Sequence, residues 1–235
     1  MILIAIDTST PKTSVGIGTE SGIVAELTLS GKGRQESLPL ELDHLCRWSD
    51  IELGQVGGIA VGLGPGLFTG LRVGVQTAKT LAQVLGVPIV GISSLDAVAF
   101  AVRHVSRSIA AVVDARRGEV FWSLYEPVPG GVMRTREHEV TSPAKLSAEL
   151  EAVRREVLCV GDGAILYRYE LSAAGPSLEF ASASVGYPRA SCLLELAVPR
   201  FLREEFDKPH RVVPIYLRKT DAEIAWDERN RGASA

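Results

Sequence analysis

Five glycines fall within thirteen residues at Gly62-Leu63-Gly64-Pro65-Gly66-Leu67-Phe68-Thr69-Gly70-Leu71-Arg72-Val73-Gly74, between the apolar run Ile59 to Val61 and a stretch of helical periodicity. A glycine turn that carries a strand into a helix is the unit from which α/β sheets are built, and the free amides at such a helix start favour an anion. The spacing nevertheless fits neither familiar phosphate loop. A dinucleotide turn would need a third glycine at position 67, where Leu67 stands, and a P-loop would need Lys then Ser or Thr where Leu71-Arg72 follows Gly70. The loop has the backbone of an anion cradle without the side chains of phosphate catalysis. Structural uses of the same residues compete: Pro65-Gly66 suits a tight turn and Thr69 can cap the helix. Gly70 and Gly74, one turn apart, would let a neighbouring helix approach, at about 1 kcal/mol each relative to Ala.

Leu71, Val75, Ala78, Ala82 and Leu85 then mark one face of a helix that Gly86 and Pro88 stop. Upstream, residues 2–6, 14–18 and 23–29 read as an antiparallel meander turning at Asp7-Thr8-Ser9-Thr10-Pro11, and Leu38, Leu42 and Leu45 give a helix over 36–48. A strand at 89–91 follows, and Ser93 with Asp96 resembles a capping box opening a helix through Val102. The second half repeats this order. It has strands at 109–113, 120–125 and near 135–140, a helix over about 142–153, a strand at 157–160 and a helix over about 189–206. The expected fold is therefore α/β and two-lobed, of the actin-like, ribonuclease H-like kind, with duplicated βββαβα halves around a cleft. The lobes are expected at 1–105 and 106–210, divided near the charged stretch 103–107, with a tail over 211–235 whose end, Gly232 to Ala235, thins into disorder.

Composition narrows the function classes. A chain of 235 residues can bury two cores, and no apolar run approaches the roughly 20 residues that span a bilayer, so a cytoplasmic protein without a membrane partner is expected. The formal charge of −3 argues against gripping nucleic acid alone. Cys46, Cys159 and Cys192 read as buried thiols; with four scattered histidines they suggest neither disulfide nor metal site, and no cofactor is expected. Asp7 and Asp114 end the first strand of each half, where actin-like ATPases face nucleotide phosphates. The same residues at strand ends also serve as turn formers that bond local amides. Ser9, Ser14 and Ser37 lie in no nucleophile elbow, and Cys46 has no adjacent base. No catalytic residue is assigned.

Gly64 to Gly74 resemble the signature Gly-Pro-Gly-Ser-Phe-Thr-Gly-Leu-Arg-Val-Gly of the TsaB (YeaZ) family, with Leu67 in place of the serine. The likeness extends to Ala5-Ile6-Asp7-Thr8-Ser9-Thr10, to Gly91-Ile92-Ser93-Ser94-Leu95, to Asp114-Ala115-Arg116-Arg117-Gly118-Glu119-Val120 and to Pro214-Ile215-Tyr216-Leu217-Arg218. It implies an accessory subunit that scaffolds a TsaD-type catalytic paralogue. That enzyme moves threonylcarbamoyl from threonylcarbamoyl-adenylate to N6 of the adenosine 3′ to the anticodon, in tRNAs reading ANN codons. It also implies a TsaE-type ATPase partner, a homodimer when the subunit is alone, and tRNA contact only through the complex. The family's interface uses the first two helices of the N-terminal lobe. Leu38, Leu42, Leu45, Gly70, Leu71, Gly74, Val75 and Ala78 would then divide between core and partner surface, while Asp7, Asp114, Gly64 and Gly66 would be vestiges of a nucleotide site. One departure is Arg34-Gln35-Glu36-Ser37, where relatives often carry His-Ser-Glu. The alternatives are an actin-like kinase or ATPase and, with least support, a peptidase.

Overall fold

A computed structural model of the protein describes residues 1–31 and 37–218. The departure at Arg34-Gln35-Glu36 and the tail end Gly232 to Ala235 lie outside the described residues. The chain opens with β1 (Ile2–Asp7), β2 (Lys12–Thr19) and β3 (Gly22–Ser30), then α1 (Leu38–Trp48), β4 (Val56–Gly62), α2 (Phe68–Leu85), β5 (Ile89–Ile92) and α3 (Ser94–Phe100). Its second half comprises β6 (Ser108–Arg116), β7 (Glu119–Val128), β8 (Gly131–Arg134), β9 (Glu139–Thr141), α4 (Pro143–Ala152), β10 (Val157–Val160), α5 (Asp162–Leu166), α6 (Arg168–Leu171), β11 (Leu178–Phe180) and α7 (Ala190–Leu202).

The two sheets share one plan. The first runs β3-β2-β1-β4-β5, with β1 antiparallel to β2 and parallel to β4. The second runs β8-β7-β6-β10-β11, with β6 antiparallel to β7 and parallel to β10. The expected meander and the expected duplication are both present. Several elements differ from expectation: α3 ends at Phe100 and not at Val102, and α5, α6 and β11 stand where no element was expected. The strand expected near 135–140 is split into β8 and β9, both pairing with β7, because Thr135 and Arg136 turn back to donate to the Leu124 carbonyl. The last helix stops at Leu202; Asp207 then pairs with Ile89, covering the edge of β5.

Five layers result. Ile4, Ile6, Val15 and Ile17 meet Leu38, Leu42, Leu45, Val75 and Ala78, which seats α1 and α2 on the outer face of the first sheet. On its inner face Leu3, Ala5, Ala60 and Val90 meet Leu193, Leu194, Ala197 and Phe201 of α7. Helix α3 lies beside α7 and turns Leu95, Val98 and Ala99 onto Ile109, Ala111 and Val113 of the second sheet, whose outer face carries α4 to α6. β1 is central and covered on both sides, which explains why it reads as an unbroken apolar run. α7 can settle on β2 because Gly16 leaves room for it: a Cβ there would stand 2.9 Å from the Ala190 methyl.

Candidate functional site

The crevice at the carboxyl ends of β1 and β4 is where an open α/β sheet would take a ligand. Here the chain fills it with its own turn. The Asp7 carboxylate, 1% exposed, accepts from the Ser9 amide at 2.8 Å and the Ser9 hydroxyl at 2.7 Å on Oδ1, and from the Ser94 hydroxyl at 2.6 Å on Oδ2. Ser94 Oγ in turn accepts from the Gly64 amide at 3.0 Å, so α3, the glycine loop and the β1–β2 turn are tied at one atom. Burial raises the Asp7 carboxyl above its ordinary value, against the lowering effect of the hydrogen bonds from Ser9 and Ser94. At Gly66 any Cβ would collide with the Ser9 carbonyl, which also accepts from the Leu67 amide at 2.7 Å.

Gly70 and Gly74 serve the same junction. The Thr8 hydroxyl donates to the Gly70 carbonyl at 2.7 Å, and a Cβ on Gly74 would occupy the place of Thr8 Oγ1. The two glycines therefore admit the first turn of their own lobe, a correction to the expectation of a neighbouring helix. Thr69 is not the cap. Leu67 holds the N-cap position with extended backbone and no capping side chain, and α2 begins at Phe68.

In the second lobe Asp114 is nearly buried and is answered locally, its Oδ1 by the Arg116 amide at 2.9 Å and its Oδ2 by the Arg116 guanidinium at 3.2 Å. Asp162 Oδ1 accepts from the Asp114 amide at 3.0 Å. Burial first, with the neighbouring Asp114 charge adding, pushes the Asp162 carboxyl up to about 6. Both strand-end aspartates thus do what turn formers do.

A third polar cluster joins the lobes. Ser93 Oγ caps α3 by accepting from the Asp96 amide at 3.3 Å and lies 3.1 Å from His138 Nε2; Tyr125 donates to Asp96 at 2.8 Å. The arrangement contains Ser, His and Asp but not in relay order, because Asp96 faces the same Nε2 as the serine, at 3.5 Å, while Nδ1 faces Arg134. A triad needs the carboxylate on the opposite ring nitrogen. Among the described residues, no three His, Cys, Asp or Glu side chains converge as a metal set. Cys46, Cys159 and Cys192 are buried and free, as expected.

The residues expected to divide between core and partner all fall inside. Leu38, Leu42, Leu45, Leu71, Val75 and Ala78 are buried under their own sheet, and Gly70 and Gly74 under Thr8. What α1 and α2 present outward is a different set. Leu40, His44 and Trp48 recur every four residues on α1; Leu40 is 57% and Trp48 72% exposed, and the His44 and Trp48 rings stack at 5.7 Å. On α2 the exposed positions include Thr69, Arg72, Gln76, Thr80 and Val84, the last 77% exposed, and the helix contains no acidic residue. An outer helix face of a monomer is ordinarily studded with charges of both signs. The spacing 40, 44, 48 was available in the sequence as a misplaced apolar line on the polar side of α1.

A family model described as TsaD, tRNA N6-adenosine threonylcarbamoyltransferase, matches residues 19–226. The chain is 32% identical to the tRNA threonylcarbamoyladenosine biosynthesis protein TsaB of Bacillus subtilis, over 98% of its own length and 100% of that protein. The chain belongs to the TsaB family. TsaB of Escherichia coli is 29% identical over 96% of this chain and 97% of its own. The solved structure of YeaZ from Pseudomonas aeruginosa aligns with a TM-score of 0.78 at 26% identity, covering 92% of this chain and 99% of that one. The two-lobed actin-like fold of the TsaB family is thus the fold of this chain, and the departure at Leu67 leaves membership intact.

Proposed function

We propose that this chain is the accessory subunit of a tRNA threonylcarbamoyladenosine synthesis complex, holding a TsaD-type catalytic paralogue through the outer faces of α1 and α2. The observation that carries the noncatalytic part is the occupied crevice: Ser9, Thr8 and Asp7 fill the space that phosphates would need, and both Asp7 oxygens already accept hydrogen bonds. The relatives named TsaB supply the pathway. The same filling leaves the kinase or ATPase alternative without a phosphate seat on this chain. For the partner surface, the support is the line Leu40, His44, Trp48, exposed apolar surface that association would remove from water, beside an α2 face that carries Arg72 and no acidic residue. A TsaE-type ATPase, a homodimer in the absence of the catalytic subunit, tRNA contact only in the assembled complex and a cytoplasmic setting complete the reading. Among the described residues no helix is long and apolar enough to cross a membrane.

The test removes the gene and measures threonylcarbamoyladenosine in bulk tRNA. We expect its loss, restoration by the wild-type chain, and failure of restoration by Leu40→Asp/Trp48→Glu, which places charges on the outer face of α1 without touching the core. The same variant should lose at least about 100-fold in affinity for the catalytic subunit, the equivalent of roughly 3 kcal/mol. Unchanged modification in the deletion strain would overturn the function, and undiminished association of the variant would move the interface elsewhere.

A further inference from the structure

Beyond α7 the chain ties the two lobes together within a few residues. Val212, 1% exposed, is plugged into the core beneath α1 and α2. The Ile215 amide then donates to the Leu63 carbonyl of the glycine loop at 2.8 Å, and the Tyr216 ring lies 5.2 Å from that of Phe68 at the start of α2. One residue further the chain has changed lobes. Leu217 packs onto the core that α3 shares with the second sheet, and the Arg218 guanidinium meets Glu119 of β7 at 3.0 Å. Residues 212–218 belong to no helix or strand, and among the described residues the bond from Ile215 to Leu63 is their one backbone–backbone hydrogen bond. Between Val212 and Tyr216 the segment stands off α2, leaving an open cleft of about 650 Å³. Lys79 donates across it to the Val212 carbonyl and Arg72 Nε to the Tyr216 hydroxyl, each at 3.4 Å. A segment so lightly held opens well before the sheets it joins.

We propose that residues 212–218 are a strap that couples the outer face of α2 to the second lobe: a partner seated on α2 holds the strap down, and the strap steadies the β6–β7 hairpin through Leu217 and Arg218. Tyr216 is 45% exposed and bonded to Arg72 of the outward face, so a protein seated over Arg72 also covers Tyr216. The next two residues are already held by the second lobe. Strap seated and strap released are the two states. A partner that prefers the seated one strengthens the second-lobe contacts by the same factor by which those contacts strengthen its binding. The receiving end is poised to respond, because Arg116 and Arg117 hold left-handed backbone at φ 63° and 57°, which only surrounding contacts maintain in residues of this type. The inference rests on the reading that the catalytic subunit docks on α1 and α2.

Amide hydrogen exchange on the full-length chain, free and saturated with the catalytic subunit, tests this in Arg218→Glu and in Glu119→Arg/Arg218→Glu, which restores the pair with its charges exchanged. In the free chain Arg218→Glu should speed exchange at the Ile215 amide at least about tenfold, while the amides of Val75 and Ala78 report an intact α2. Saturation should slow the amides of Gly118 to Val120 at least about threefold in the wild type and the exchanged pair, and leave them unchanged in Arg218→Glu. Affinity for the catalytic subunit should fall about fivefold in Arg218→Glu and recover in the exchanged pair. An unchanged Ile215 rate, an unchanged affinity, a loss that the exchanged pair does not recover, or no slowing at 118–120 in the wild type would each overturn the proposal. So would slowing there that persists in Arg218→Glu, the mark of direct coverage by the partner. In the same series, undiminished association of Leu40→Asp/Trp48→Glu would overturn the docking surface and the coupling with it, whereas its loss alongside wild-type behaviour of Arg218→Glu would overturn the coupling alone.

Discussion

Asp162 opens α5 with its Oδ1 on the Asp114 amide, and burial beside the Asp114 charge lifts its carboxyl from 3.8 to about 6. A carboxyl raised on folding holds its proton more tightly in the native chain than in the unfolded one. The stability it contributes is complete below about pH 4 and lost as pH climbs through 6. Asp162→Asn keeps the acceptor and removes the charge. It should therefore exceed the wild type in stability above pH 7 by about 2 kcal/mol, the two-unit shift trimmed for partial exposure, and match it below pH 4. Urea midpoints across this range measure the difference, and a pH-independent offset would contradict the assignment. The sequence announced Asp7 and Asp114 as turn formers and the glycines as close-contact positions. It could not announce what makes the contact, because Thr8 meets Gly70 of the loop across 62 residues and Ser94 meets Asp7 across 87.

At the scale of elements, α7 takes its N-terminal cap from another part of the chain. Arg189 at the N-cap offers no capping side chain; instead Ser14 Oγ accepts from the Ala190 amide at 2.9 Å, and Glu26 Oε1 accepts from the Ser191 amide at 2.9 Å and its hydroxyl at 3.0 Å. Arg189 pairs with the other Glu26 oxygen. A carboxylate at a helix N-terminus also meets the favourable end of the dipole. Glu26→Ala should cost about 2 kcal/mol in urea unfolding and Glu26→Gln roughly half of that, since the amide still accepts. Equal costs would mean that the hydrogen bonds to Ser191 contribute nothing. Helix periodicity in α1 and α2 was legible, but it marks the face that is buried, and an apolar stripe does not say against what. The stripe of Leu38, Leu42 and Leu45 is consumed by β2 and its neighbours, so the informative positions were the exceptions on the opposite side, Leu40 and Trp48.

Across the whole molecule, the duplicated order of elements was readable from periodicity, because each half switches from strand to helix spacing in the same sequence of steps. The exchange of inner helices was not. α3 turns Leu95 and Val98 to the second sheet, and α7 turns Leu193 and Leu194 to the first, so each half's last helix completes the other's core. Gly16, Gly18 and Gly58, on the face that α7 covers, were the hints of a close neighbour there. Residues 1–105 alone should therefore bind a hydrophobic dye and melt without a sharp transition, and adding residues 106–235 should restore cooperative unfolding. A sharp independent melt of 1–105 would refute this coupling.

The exchange also orders events at the ribosome. A nascent chain can pair β1 to β5 early, yet Leu3, Ala5 and Val90 stay exposed until α7 has emerged, nearly a hundred residues after β5. Throughout that interval the growing polypeptide presents an uncovered apolar sheet face, a target for chaperones, and a premature stop before α7 leaves a product bound for proteolysis.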